Sequence, residues 1–266
     1  MIPANFKGAA KRLDDLDLPR IGRMIGVGED EIHAVLEVES RGSGFDRQGR
    51  PLNLFEPHVF WRELGPGAKR TRAAGLGLAY PNWGVRPYPA DSYPRLIEAI
   101  KIDETAALRS CSWGLGQVMG NNHEAAGYAT VQEFVAAMCA DEEHHLAAMV
   151  RFIKENRLDD EIRRHDWAGF ARGYNGPGFR KNQYDVRLAR AYAKWSKIKD
   201  TPFARGMAAQ ETAAYDPGLK IPPPAATPAA PVSPPAPVQP VALPTVEPGF
   251  WPRVLAAILS LFKKGK

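Results

Sequence analysis

The stretch "AVLEVESRGSGF", residues 34–45, decides how this chain is read. It ends an apolar helical run on an acid, Glu39, and then breaks into Ser-Arg-Gly-Ser-Gly. The run it closes, "EDEIHAVLEVES" (29–40), opens with acids, which suit the positive end of a helix. At about 100° per residue, Ile32 points within about 20° of Glu39, and Val35 and Leu36 fall on either side. Glu39 therefore sits in the middle of the apolar stripe, while Glu37 points to the opposite face. A carboxyl in that position is partly desolvated, which favours its neutral form and raises its pKa. Such an acid keeps its proton near neutral pH and can give it to a leaving oxygen, the role of the general acid in glycoside cleavage. The competing reading is a helix-end glutamate that bends out to water or pairs with Arg41.

Outward from this helix the chain is mostly α. Residues 18–26 form a short apolar turn. "GSGFDRQGRPLNLFE" (42–56) is punctuated by Gly and Pro and reads as a small β-hairpin turning at Arg47-Gln48-Gly49. Pro57 suits the first position of a further helix, "PHVFWREL". Residues 65–90 are loop-like, with basic and aromatic residues mixed. Helices are expected over 92–101, 103–110, 112–120, 130–139, 141–156, 158–164, 166–173 and 181–195.

Composition divides the chain. Twelve of its 24 prolines lie between Asp216 and Phe250, in a Pro/Ala/Val-rich segment without helical or strand period. That segment reads as an extended, semi-stiff linker. The boundaries expected are a domain over 1–205, a linker over 206–249 and a cationic apolar tail over 250–266. From Pro217 onward five basic residues face one acid, so +4 of the net +5 belongs there and only +1 to the first 216 residues. The domain is thus not basic, which argues against a nucleic-acid partner. Cys111 and Cys139 lack metal-ligand spacing and read as two free, partly buried thiols, with a single disulfide as the alternative. His144 and His145 point about 100° apart on a helix and cannot share one metal; both read as surface or half-buried residues. No metal and no cofactor are expected. The opening "MIPANFKGAAKRLDDLDLPR" lacks the apolar core of a signal peptide.

Three separated segments resemble the motifs of the lytic transglycosylase and goose-type lysozyme superfamily: "EVES" (37–40), "SWGLGQVMG" (112–120) and "ARGYNGPG" (171–178). More closely, "AVLEVESRGSGF", "GRPLNLFEPHVFW", "SCSWGLGQVMGNNHEAAGY", "DWAGFARGYNGPGF" and "YDVRLARAY" resemble the N-acetylmuramidase domain of phage endolysins, over most of residues 15–195. The resemblance implies a lysozyme-like helical domain with a small β-hairpin. It implies cleavage of peptidoglycan between N-acetylmuramic acid and N-acetylglucosamine, by a monomer that stays in the host cytoplasm until its release to the wall at lysis.

Carried onto this chain, the resemblance makes Glu39 the general acid. Ser112 and Gln117 would bind sugar groups, Tyr174 and Asn175 would line the floor beside the acid, and Trp113 and Tyr174 would offer flat faces to the glycan. Gly114 and Gly116 would let backbone approach the polymer closely. The competing readings are core packing for Trp113 and a cap or solvent contact for Gln117. Glu56, at the end of the hairpin, is the candidate second carboxylate; the competing reading is a cap on the helix at Pro57. Asp46 also lies in the hairpin. A mechanism using the substrate's own acetamido group needs no second acid, so hydrolysis and transglycosylation both stay open, and the alternative of another class is a non-catalytic wall- or membrane-binding protein.

The chain closes on "GFWPRVLAAILSLFKKGK". Its apolar run is too short to span a bilayer, which needs about 20 residues. With its aromatics and lysines it reads as a segment for a membrane surface, the alternatives being a patch docked on the domain or a disordered end.

Overall fold

The structure, a computed structural model, describes residues 2–40 and 42–202. The linker and the tail lie outside the described residues, as does Arg41.

The described residues hold eleven α-helices and one small sheet, joined by turns and loops. In chain order they are α1 (Asp17–Gly22), α2 (Glu29–Glu39), β1 (Asn53–Phe55), α3 (Pro57–Leu64), α4 (Ala68–Gly75), α5 (Tyr93–Ile100), α6 (Glu104–Arg109), β2 (Cys111–Trp113), β3 (Val118–Met119), α7 (Val131–Ala140), α8 (Glu142–Glu155), α9 (Asp159–Arg163), α10 (Trp167–Asn175) and α11 (Tyr184–Trp195). The strands pair antiparallel in the order β1-β2-β3, with Leu54 opposite Ser112 and Trp113 opposite Val118.

Helix α2 begins as its acids require. Glu29, Asp30 and Glu31 fill its first turn, and the Glu31 carboxylate accepts the Gly28 N–H at 3.0 Å. It packs along α11 and α1 and buries Ile32, Val35, Val38 and Glu39. Glu37, on the other face, clips the end of α11 by accepting from Lys194 Nζ (2.7 Å) and Trp195 Nε1 (2.8 Å). The Arg187 guanidinium caps α2 by donating to the Val38 carbonyl at 3.2 Å. Helix α8 crosses the core, with Leu146, Ala148, Met149, Val150 and Ile153 fully buried.

Several elements differ from the sequence expectation. Residues 112–120 are not helical: they form the β2–β3 hairpin. Three glycines at 114, 116 and 120 weaken a helix there, and Gly114 (φ 69°) and Gln117 (φ 48°) turn the chain in the left-handed region. Residues 42–56 form a tight turn closed by a Phe45–Pro51 bridge, and the strand that follows pairs with β2 rather than with the start of its own hairpin. Asp46 organises the turn, accepting from the Gln48 and Arg50 N–H groups (2.8 and 3.0 Å) and from Arg50 Nε (2.7 Å). Helix α4 occupies part of the expected 65–90 loop. Both cysteines are free, as expected, but fully buried rather than partly.

His145 is the largest correction. It is a buried residue that joins three parts of the chain. Its Nδ1 accepts the Leu115 N–H at 3.1 Å, so Nε2 carries the proton and donates to the Met138 carbonyl at 2.6 Å. The ring fills space left by two glycines: a Cβ on Gly44 would collide with it, and one on Gly114 would come within 2.7 Å. Its neighbour Glu142 accepts the Gly44 N–H (2.6 Å) and the Leu13 N–H (3.1 Å). The loop after Glu39 and the hairpin turn at Leu115 are therefore both tied to the start of α8.

Burial lowers the His145 pKa to about 4. Titration of the imidazole resonances by NMR is expected to find one histidine still neutral at pH 5, and its loss in His145→Gln assigns it. A midpoint near 6.5 for every histidine would contradict the packing. The Gly44→Ala variant is expected to lose about 2 kcal/mol or more of unfolding free energy in a denaturant titration, because the new methyl must displace the ring.

Candidate active site

Glu39 closes α2 on its apolar stripe and remains 5% exposed. Its neighbours come from well over a hundred residues further along the chain. Asn175, the last residue of α10, donates from Nδ2 to Glu39 Oε1 at 3.0 Å. Glu39 Oε2 is buried and has no hydrogen-bond partner among the described residues. Tyr174 and Tyr184 are buried nearby, and burial, with the charge of Glu39 adding to it, holds both phenols protonated. Tyr174 is fixed by stacking on Phe170 (centroids 5.2 Å apart) and by edge contact with Phe152 (6.2 Å).

The electrostatics follow from this packing. Burial raises the Glu39 pKa to about 7; the Asn175 N–H and the positive charge of Arg187 oppose that shift without cancelling it. With Oε1 taken by an amide donor, the proton of the neutral acid belongs on Oε2, the oxygen without a partner. Beside the acid, Asn175 Oδ1 and the Tyr184 hydroxyl are also buried without hydrogen-bond partners among the described residues. Orphaned acceptors and donors around a neutral acid are what a polar substrate or an ordered water would satisfy.

The other site residues divide. Ser112 and Gln117 are brought together: Ser112 Oγ donates to Gln117 Oε1 at 2.9 Å, while Gln117 Nε2 donates to the Gly114 carbonyl (2.7 Å) and the Leu52 carbonyl (3.3 Å). These bonds stitch the hairpin turn to the end of the Asp46 turn. Trp113 is a core residue. It is 1% exposed, its indole N–H donates to the Leu108 carbonyl at 3.1 Å, and it stacks on Phe6, so it offers no face to a glycan. Gly114 and Gly116 likewise make room inside the protein, for His145 and for Met149, and not for a polymer outside.

Glu56 occupies the N-cap position of α3 but makes no side-chain cap. Its carboxylate, 1% exposed, turns instead to the Tyr88 hydroxyl and to His58 Nδ1 (3.2 Å), partners it does not share with Glu39. Tyr184 and Arg187 were not singled out from the sequence. Their signal was the apolar stripe of α11, on which both lie one turn apart.

Beside the end of α2 runs an open cleft of about 560 Å³, lined by Leu36, Ser40 and Gly42 on one side and by Leu115 and the stacked His33–Trp195 pair on the others. Glu39 is not among its lining residues; the cleft reaches Ser40, the next residue in the chain. A second cavity of about 300 Å³ lies between the Asp46 turn and Tyr93. Asn53 lines it, with both side-chain polar atoms unpaired among the described residues.

A model of the N-acetylmuramidase family matches residues 29–196, a span that contains Glu39, the β2–β3 hairpin and Asn175. Among solved structures, the crystal structure of the Burkholderia AP3 phage endolysin is similar, with 37% sequence identity and a TM-score of 0.66 over 71% of this chain and 73% of that chain. A search of curated proteins found no match. The chain belongs to the N-acetylmuramidase family of peptidoglycan-cleaving enzymes.

Proposed function

We propose that the protein is an endolysin-type muramidase that cuts the glycan between N-acetylmuramic acid and N-acetylglucosamine, with Glu39 as general acid. The observation that carries this reading is the buried carboxyl with its pKa near 7, one oxygen held by Asn175 and the other without a partner. Protonated Oε2 would give its hydrogen to the bridging oxygen as the glycosidic bond breaks. Asn175 fixes the carboxyl rotamer, and Tyr174 and Tyr184 keep its surroundings dry yet polar. Ser112 and Gln117 act as positioning residues of the hairpin. The similarity to a phage endolysin supports a role in host lysis, with release to the wall. In this reading residues 1–205 are the catalytic unit, and residues 206–249 link it to the 250–266 segment.

One observation favours a variant of the chemistry. Glu56 is buried against Tyr88 and His58, poorly placed to activate a water for attack. A single acid then suffices if the substrate's acetamido group assists. That would make the enzyme a lytic transglycosylase if the sugar's own 6-hydroxyl completes the reaction.

Glu39→Gln is expected to slow clearance of purified sacculi by about 10²–10⁴-fold, with Glu56→Gln within about tenfold of the parent. Equal clearance by Glu39→Gln and the parent would overturn the proposal. Mass spectrometry of the released fragments separates reducing ends from 1,6-anhydro ends. The parent's rate is expected to fall as pH rises through about 7, because the acid must hold its proton. The stability of the fold carries the same signature. A carboxyl whose pKa is raised on folding favours the folded state below its ordinary value of 4.5, and that stabilisation is lost as pH rises through 7. Glu39→Gln is therefore expected to be more stable than the parent at pH 8, by on the order of 3 kcal/mol, and this advantage should vanish near pH 4.5.

A further inference from the structure

Trp113, the aromatic expected to face the glycan, lies in the core, so it gives sugar rings no flat surface. The cleft beside the end of α2 supplies one. Its His33 and Trp195 rings stack with centroids 3.8 Å apart and planes 6° from parallel. The pair is held in place. The Trp195 indole N–H donates to Glu37 at 2.8 Å, and Lys194 Nζ lies 4.6 Å from the centre of the indole. Leu36 extends the apolar wall along α2, and Leu115, from the β2–β3 turn, adds to it.

The charges around this cleft are already balanced. Arg12 is paired with Glu142 (3.1 Å) and Lys194 with Glu37 (2.7 Å). Arg12 also donates to Ser43 Oγ at 2.7 Å and to the Gly42 carbonyl at 3.1 Å, so its guanidinium is committed to the loop after Glu39. Burial lowers the His33 pKa below its ordinary value of 6.5, which leaves the ring uncharged at neutral pH. An anionic headgroup, or the free carboxylates of a stem peptide, would find no unpaired cation among these lining residues.

A neutral ligand with both apolar and hydroxylated surfaces meets no such mismatch. N-acetylhexosamines have that character: their ring C–H faces and acetyl methyls are apolar, and their hydroxyls and amides are polar. Ser40 can meet the polar part. Its Oγ accepts the Gly42 N–H at 3.3 Å, and its own O–H has no acceptor among the described residues. A glycan strand also extends well beyond the one bond that is cut, and the cleft reaches Ser40, the residue after the acid. We propose that this cleft is a subsite for the uncharged glycan backbone, in which an N-acetylhexosamine packs against the His33–Trp195 pair and Leu36 while Ser40 binds its polar groups. This deepens the reading of Glu39 as the acid, on which it rests, by giving the strand a course away from the bond that is cut. It places recognition here on the sugar and not on the stem peptide.

The test uses the full chain as Glu39→Gln, to slow cutting of the probe, with ¹⁵N-labelled tryptophan; a Trp195→Phe spectrum assigns the indole N–H of Trp195. The probes are the hexamer of N-acetylglucosamine, which carries no peptide, and a free stem tripeptide, which carries no sugar. The Trp195 indole resonance is expected to move saturably with the hexamer and to ignore the tripeptide. With Glu39 restored, His33→Ala is expected to raise the half-saturating concentration of sacculi by about three- to tenfold at a little-changed maximal rate. His33→Phe, which restores a flat ring, is expected to recover the parent value. A Trp195 signal that ignores the hexamer, or answers to the tripeptide alone, would overturn the proposal, as would a His33→Ala variant that saturates like the parent. Clearance of sacculi by Glu39→Gln at the parent's rate would contradict the acid and not the cleft, whose Trp195 signal is read separately.

Discussion

A carboxyl held against hydrocarbon, with an amide N–H on one oxygen and no partner among the described residues on the other, is the constraint on which the site depends. Each element near Glu39 has a part in keeping it so. Helix α2 must present residue 39 in register with Ile32 and Val35. Helix α10 must end at Asn175 so that its amide reaches Oε1. Helix α11 closes the pocket with Tyr184 and holds the last turn of α2 through Arg187 and Val38. An isolated charge in such a place is costly, and the molecule avoids the cost by raising the pKa of the acid. The price is a fold that resists the ionised form of its own key residue.

His145 is the counterpart on the other side of the same loop. There too burial selects the neutral form, but for a base that means a lowered pKa. The two groups act in opposite directions on stability: the histidine weakens the fold as pH falls below 6.5, the glutamate as it rises above 4.5. Around the histidine the packing is rigid, since Gly44 and Gly114 leave room for its ring and for little else. The chain after Glu39 and the turn at Leu115 thus keep fixed positions relative to α8, although neither is regular secondary structure. That rigidity suits the proton donor proposed at Glu39.

How much of this could be read from the sequence depends on the range of each interaction. The position of Glu39 was legible because helical period is local: seven residues suffice to set its direction. Its link to Asn175 spans 136 residues, and only the resemblance of "ARGYNGPG" to a family motif brought the two together. The hairpin at 111–119 was missed because strands of three and two residues are too short to show alternation. Trp113 was read as a candidate sugar platform because residue type cannot say which side of a strand faces the core; its pairing with Asn53 and contact with Phe6 decide that. His145 was misjudged for the same reason. Its burial comes from glycines 101 and 31 positions earlier, whose missing side chains carry no local signal. Tyr184 lay in a quoted family segment, but its nearness to the acid is a property of how α11 folds back on α2.

The most direct test is of the acid itself. Carboxyl ¹³C NMR of the chain labelled at glutamate, followed across pH, should contain one resonance that titrates near 7 and is missing in Glu39→Gln. If every glutamate carboxyl titrates near its ordinary value of about 4.3, the buried acid does not keep its proton and the account of this site fails.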